Sequence, residues 1–93
     1  MRTIKRTAQF KRDYKREKRK RHSITLDKDL LETIKLLVMD TQLPKCMRDH
    51  PLIGNWKDHR DCHIKPDLVL IYRKLDANTL ELIHLGSHSE LGL

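Results

Sequence analysis

Leu26, Leu30, Ile34, Leu37 and Val38 recur at three- and four-residue spacing, with Lys28, Glu32 and Lys35 between them. That pattern predicts an amphipathic helix over 26–39 with one buried face. Thr25 reads as its N-cap, and Asp27 and Asp29 place negative charge at the positive end of its dipole. The periodicity stops at Asp40-Thr41-Gln42-Leu43-Pro44, because the residue before a proline avoids helical geometry, and a connection containing Pro51 and Gly54 follows. From Trp56 onward the texture changes to short runs of β-formers. Residues 56–64 predict one strand, ended by a turn at Lys65-Pro66. The unbroken apolar run Leu68-Val69-Leu70-Ile71-Tyr72 predicts a second, and 79–85 a third after a turn at Asp76-Ala77-Asn78. Strands joined this tightly form an antiparallel meander, and the central one is apolar enough to need cover on both faces. Upstream, residues 2–7 predict a short strand and 8–21 a helix, with Phe10 and Tyr14 four residues apart on one face. Gly86 ends the sheet and leaves residues 87–93 as a short tail. The expected architecture is α+β, in the order β-α-α-β-β-β, with two helices packed on a small antiparallel sheet in one domain spanning 1–93.

Charge divides the chain unevenly. The net charge is +7, yet residues 1–22 carry eleven Lys/Arg against Asp13 and Glu17, whereas residues 23–93 carry nine against eleven Asp/Glu. The whole positive excess lies in the first quarter, in the run Lys11-Arg12-Asp13-Tyr14-Lys15-Arg16-Glu17-Lys18-Arg19-Lys20-Arg21. Cations in that number bind polyanions by releasing counterions, so a nucleic acid is the expected partner. A solvated helix face is the bland alternative. No apolar run approaches the roughly 18 residues of a bilayer span, and no apolar stretch follows the charges at Met1–Arg6. A cytoplasmic protein away from membranes is therefore expected, with Cys46 and Cys62 as reduced thiols.

Six histidines are many for 93 residues, and five of them, His50, His59, His63, His84 and His88, lie on or beside the predicted sheet. Strand alternation places His59, Asp61 and His63 on one face of the 56–64 strand and Arg60 and Cys62 on the other. A hairpin brings Asp67 back near His63, and His88 follows the last strand. Histidine and aspartate gathered on one sheet of a basic protein supply the parts for acid–base cleavage of RNA: one group takes the 2′-hydroxyl proton, another protonates the leaving 5′-oxygen, and cations hold the phosphorane. The same residues admit two other readings. Cys46, His50, His59, Cys62 and His63 include thiolate and imidazole zinc ligands, although their spacing fits no standard finger and Cys62 would face away from His59 and His63. Surface or capping roles are the other, His22 and His59 suiting them best.

The block from Asp49-His50-Pro51-Leu52-Ile53-Gly54-Asn55-Trp56-Lys57, the block Arg60-Asp61-Cys62-His63-Ile64-Lys65-Pro66-Asp67, and Gly86-Ser87-His88-Ser89-Glu90-Leu91 together resemble the YafQ toxins of the bacterial RelE/ParE superfamily. That resemblance runs through the whole chain. It implies a RelE/ParE-like fold and a metal-independent, ribosome-dependent mRNA endoribonuclease that needs no cofactor and leaves a 2′,3′-cyclic or 3′-phosphate and a 5′-hydroxyl. It implies a cognate antitoxin of the DinJ/RelB type with a ribbon-helix-helix part, and operator DNA bound only through the antitoxin complex. By similarity the catalytic positions are His50, His63, Asp67 and His88. His88 is the expected general acid, His50 and Asp67 the candidates for proton abstraction, and His63 the group that orients the phosphate. Contacts to RNA or ribosome are expected from Lys11, Arg12, Lys15, Arg16, Lys18, Arg19, Arg60, Lys65, Arg73 and His84. Many relatives carry an arginine where this chain has His84, so phosphate stabilisation is expected to fall to Arg60, Arg73 or Lys65. Relatives also tend to end in Leu-Phe, where this chain reads Leu91-Gly92-Leu93. The alternatives are a toxin of the same fold with a gyrase-type target, a catalytically weakened homologue, and a plain nucleic-acid-binding module.

Overall fold

The computed structural model describes residues 1–20 and 23–92; Arg21, His22 and Leu93, about which the sequence raised expectations, lie outside the described residues. Along the chain run β1 (Thr3–Arg6), α1 (Ala8–Glu17), α2 (Ser23–Val38), β2 (His50–Pro51), β3 (Arg60–Lys65), β4 (Leu68–Asp76), β5 (Thr79–Gly86) and α3 (His88–Leu91), with single 3₁₀ turns at Lys45–Met47 and Gly54–Trp56. The α+β class and the β-α-α-β-β-β order hold. Three features were not foreseen. The sheet has the order β1-β5-β4-β3-β2 and is mixed, because β1 lies parallel to β5. His50-Pro51 adds a short edge strand antiparallel to β3. The tail turns into a helix, capped by Ser87, whose Oγ accepts from the Glu90 N–H while its own N–H donates to Glu90 Oε1.

Several boundaries move for local reasons. Helix α2 begins at Ser23, so Thr25 is inside it and not its cap; the Thr25 hydroxyl instead bonds Lys65 Nζ at 2.6 Å. Helix α1 stops at Glu17, and Thr7 caps its start by accepting from the Phe10 N–H. Strand β3 begins at Arg60, because the preceding Asp58 adopts a left-handed backbone (φ 71°) and turns the chain. His59 is therefore in that turn, off the strand face it was expected to share.

The sheet separates two layers. Phe10, Leu26, Leu30, Leu37 and Val38 from the helices bury against Cys62, Leu68, Leu70, Tyr72, Leu80, Leu82 and Leu85. On the other face a smaller cluster joins Val69, Ile71 and Leu91, flanked by Leu52, Trp56 and Ile83. Leu82 and Leu85 both face the helices although three positions apart, because a bulge leaves Ile83 between the pairs Tyr72↔Leu82 and Ile71↔His84. That extra residue puts His84 on the face opposite Leu82. No helix among the described residues is long and apolar enough to cross a membrane.

Candidate active site

The register aligns the polar residues of the second face in rows. His50 pairs with Asp61, Asp61 with Ile71, and Ile71 with His84, which forms one row across four strands. The next row pairs His63 with Val69 and Val69 with Gly86. Residues paired across a ladder share a face, so Asp61, His63 and His84 all rise on the side away from α1 and α2. His88 opens α3 beyond Gly86, and its ring meets His63 edge to face with centroids 4.9 Å apart. A cleft lies above these rows, lined by His50, Asn55, Trp56, Asp61, His88 and Gly92 among others.

Asp61 is at the centre. Its side chain is 1% exposed, yet its buried Oδ1 makes no hydrogen bond among the described residues. His50 Nδ1 lies 3.0 Å from that oxygen, but the same nitrogen is 2.7 Å from the Arg48 carbonyl. A carbonyl only accepts, so His50 Nδ1 carries a proton, aimed at Arg48, and Nε2 is the nitrogen free for chemistry. Burial pushes the Asp61 carboxyl above its usual range, against the opposing pull of His50, His63 and His88. Sequence alternation had put Asp61 on the face of His63; its burial and its reach to His50 needed the β2–β3 pairing, which a two-residue strand hardly signals.

The approach to His50 is fixed from below. Asp49 Oδ1 accepts from the Tyr72 hydroxyl at 2.5 Å and from Arg60 Nε at 3.2 Å. Burial, then the bond to Asp49, hold the Tyr72 phenol far above its ordinary titration range, so it acts as a permanent donor. Arg48, left-handed at φ 51°, turns the chain into β2.

The remaining expected residues fall into distinct places. His63 is buried beside His88, and Asp67 is exposed in the β3–β4 turn, two residues before Val69, the ladder partner of His63. Arg60 and Lys65 are not in the cleft. Arg60 reaches Asp49 beneath the sheet, and Lys65 Nζ is bound by α2 through Asp29 at 2.5 Å. Arg73 is held by Glu81 at 2.6 Å. On α1 and just after it, Lys11, Arg12, Lys15 and Arg19 are exposed, and Lys18 pairs with Asp27. Lys11 and Lys15 also border an apolar hollow between α1, α2 and β1. Arg16 turns inward: it donates to the Leu85 carbonyl at 2.7 Å and meets Asp13, Glu17 and Glu90 within 3.4 Å. Gly86 leaves it room, since a Cβ there would sit 2.8 Å from Arg16 Nη2. Cys62 is buried on the helix face while Cys46 is exposed, so the thiol–imidazole set considered for zinc is not assembled, and no cluster of three or more metal-ligating side chains occurs among the described residues.

Residues 2–92 match the family model of the YafQ bacterial toxins of type II toxin–antitoxin systems. The chain belongs to the YafQ family. It is 36% identical over 91 residues to the mRNA interferase toxin YafQ of Escherichia coli K12, covering 97% of this chain and 95% of that one. A crystal structure of a single-residue variant of E. coli YafQ superposes with a TM-score of 0.84 at 32% identity, covering 98% of both chains. The E. coli DinJ–YafQ complex contains a chain with a TM-score of 0.77 at 33% identity and 98% coverage of both. Membership in the YafQ family gives the gyrase-directed alternative no support.

Proposed function

We propose that this YafQ-family toxin is an mRNA interferase that cuts RNA on the ribosome with His50, His63, Asp67 and His88 as its acid–base groups. The observation that carries the reading is the buried Asp61 carboxylate facing His50, with His88 in the same cleft and the buried His63 meeting the His88 ring edge to face. In the reaction the ribose 2′-oxygen attacks phosphorus and the bond from phosphorus to the 5′-oxygen breaks, which yields a 2′,3′-cyclic phosphate and a 5′-hydroxyl. His88, exposed at the start of α3, protonates the leaving oxygen. His50 Nε2 takes the 2′-hydroxyl proton, with Asp67 the other candidate, and His63 steadies the phosphate from the floor. Arg60 and Lys65 are engaged elsewhere, so positive charge at the phosphate comes from the imidazoles on this face of the sheet, His84 included.

The exposed cations Lys11, Arg12, Lys15 and Arg19 supply a basic face suited to ribosomal RNA. An antitoxin of the DinJ kind, with a ribbon-helix-helix part and an acidic segment covering this basic surface, is the expected partner and would carry operator binding. The site of action is the cytoplasm, where translated mRNA is found. The test is to induce the chain without antitoxin in a bacterial host and map new RNA 5′ ends beside a His88→Ala control. Cuts inside translated frames that vanish in the control support the proposal; growth arrest without cuts refutes it.

A further inference from the structure

We infer that Asp13, buried under α1, is a positioning residue that holds His84 as a phosphate ligand of the RNA cleft. The inference deepens the nuclease reading and rests on it for the identity of the ligand. Asp13 is one of three buried carboxylates among the described residues, with Glu17 and Asp61, and the reaction scheme gives it no part. Its side chain is 2% exposed. Oδ1 accepts from Gln9 Nε2 at 2.8 Å and from Arg16 Nη1 at 3.1 Å. Oδ2 accepts from the Leu85 N–H at 3.0 Å and from His84 Nδ1 at 3.0 Å.

The fold explains why a carboxylate is there. Strand β1 pairs only as far as Leu82, so beyond it the backbone edge of β5 has no strand partner. Helix α1 completes that edge with side chains: Thr7 Oγ1 donates to Ile83 O at 2.8 Å, Asp13 accepts from Leu85 N–H, and Arg16 donates to Leu85 O. A buried backbone N–H requires an acceptor, which accounts for one bond of Oδ2. The bond to His84 exists only because the Ile83 bulge turns that ring to the cleft face. It serves no backbone group.

A carboxylate oxygen accepts, so Nδ1 of His84 carries the proton of this bond. The two ring nitrogens diverge, and with Nδ1 directed at Asp13 of α1, Nε2 faces away from the helix, on the sheet face that carries the cleft. The ring is locked in that pose by Trp56, a cleft wall, which it meets edge to face at a centroid distance of 5.4 Å. His84 remains 27% exposed. A fully protonated ring then links two anions, giving Nδ1–H to Asp13 and Nε2–H to an RNA phosphate. This is the arrangement by which a carboxylate behind a histidine fixes its tautomer and aim. Charged and titratable groups packed around the pair are Arg16 from α1, Glu90 of α3 across Arg16, and His59 on the far side of Trp56.

Two measurements decide the matter. The first is binding of a fluorescein-labelled, 2′-O-methylated RNA oligonucleotide, which cannot be cut, to the free toxin at pH 6. Asp13→Asn raises the net charge, so bulk electrostatics predicts tighter binding to a polyanion. Positioning predicts the reverse: about three- to tenfold weaker binding in the wild-type background, less than about twofold change in the His84→Ala background, and recovery when His84→Arg is added. Tighter or unchanged binding in folded Asp13→Asn, an equal loss in both backgrounds, or a His84→Ala variant that binds as the wild type does overturns the inference. The second is the ¹⁵N–¹H spectrum of the His84 ring in unaltered protein, which covers the case in which Asp13→Asn does not fold. In the neutral form of the ring the proton is expected on Nδ1, and a proton on Nε2 instead overturns the pairing. Toxin that passes both tests but cuts no translated mRNA refutes the interferase reading and leaves the Asp13–His84 pair standing.

Discussion

Asp61 stands directly across the β2–β3 ladder from His50, with His50 Nδ1 3.0 Å from an Asp61 oxygen that no hydrogen bond among the described residues satisfies. A buried carboxylate held in that way costs stability. Because its folded pKa is raised above the unfolded value, folding loses stability as pH rises from the unfolded pKa through the folded one. Asp61→Asn is therefore expected to melt at or above the wild-type temperature at pH 7, while cleavage falls by more than about tenfold as the histidines lose their shared anion. A variant that melts lower but cuts normally would show that Asp61 is only a structural residue.

The acid–base assignment predicts a different separation. His88→Ala and Asp67→Ala alter exposed side chains, in α3 and in the β3–β4 turn, so both proteins should keep the wild-type melting temperature within a few degrees. Cleavage should drop by about 10²-fold or more, and growth arrest should be relieved with ribosome binding retained. Full toxicity in either variant removes that residue from the mechanism.

Cations on α1 divide by direction. Replacing Lys11, Arg12, Lys15 and Arg19 with Gln should reduce the salt slope of ribosome affinity by about 1 or more, since these side chains point to solvent. Arg16→Gln should instead lower the melting temperature, because Asp13, Glu17 and Glu90 would lose their common partner. Equal salt slopes before and after the fourfold change would show that the basic face does not meet RNA.

Glu90 ties α3 to α1. The Ser87 N–H, followed by Lys20, holds its carboxyl down at about 2 from an ordinary 4.5. A lowered folded pKa gives stability that is present above pH 4.5 and lost as pH falls toward 2. Wild type should melt higher than Glu90→Gln at neutral pH, with the gap closing on acidification. A gap that persists below pH 2 would mean that the capping box, not the charge, carries the effect.

Much of the scaffold was legible in the order of residues. The stripe from Leu26 to Val38 can bury only as a helix, and the run from Leu68 to Tyr72 can bury only as a strand covered on both sides, because each periodicity matches one backbone repeat. Alternation also placed Asp61 and His63 together and turned Cys62 away. The motifs around His50, His63 and His88 carried the family likeness without any coordinates. Tertiary structure decided which of these groups meet. Two residues of β2 place His50 over Asp61, one bulge at Ile83 turns His84 to the sheet face that carries the cleft, and the parallel pairing of β1 brings Asp13 and Arg16 to the open edge of β5. Pairings between residues up to 76 positions apart depend on register and on closing long loops, and local propensity encodes neither. The sequence by itself therefore determined the elements and the chemical inventory, while the geometry that makes Asp61 and Asp13 buried partners of histidines arose only when the strands were set side by side.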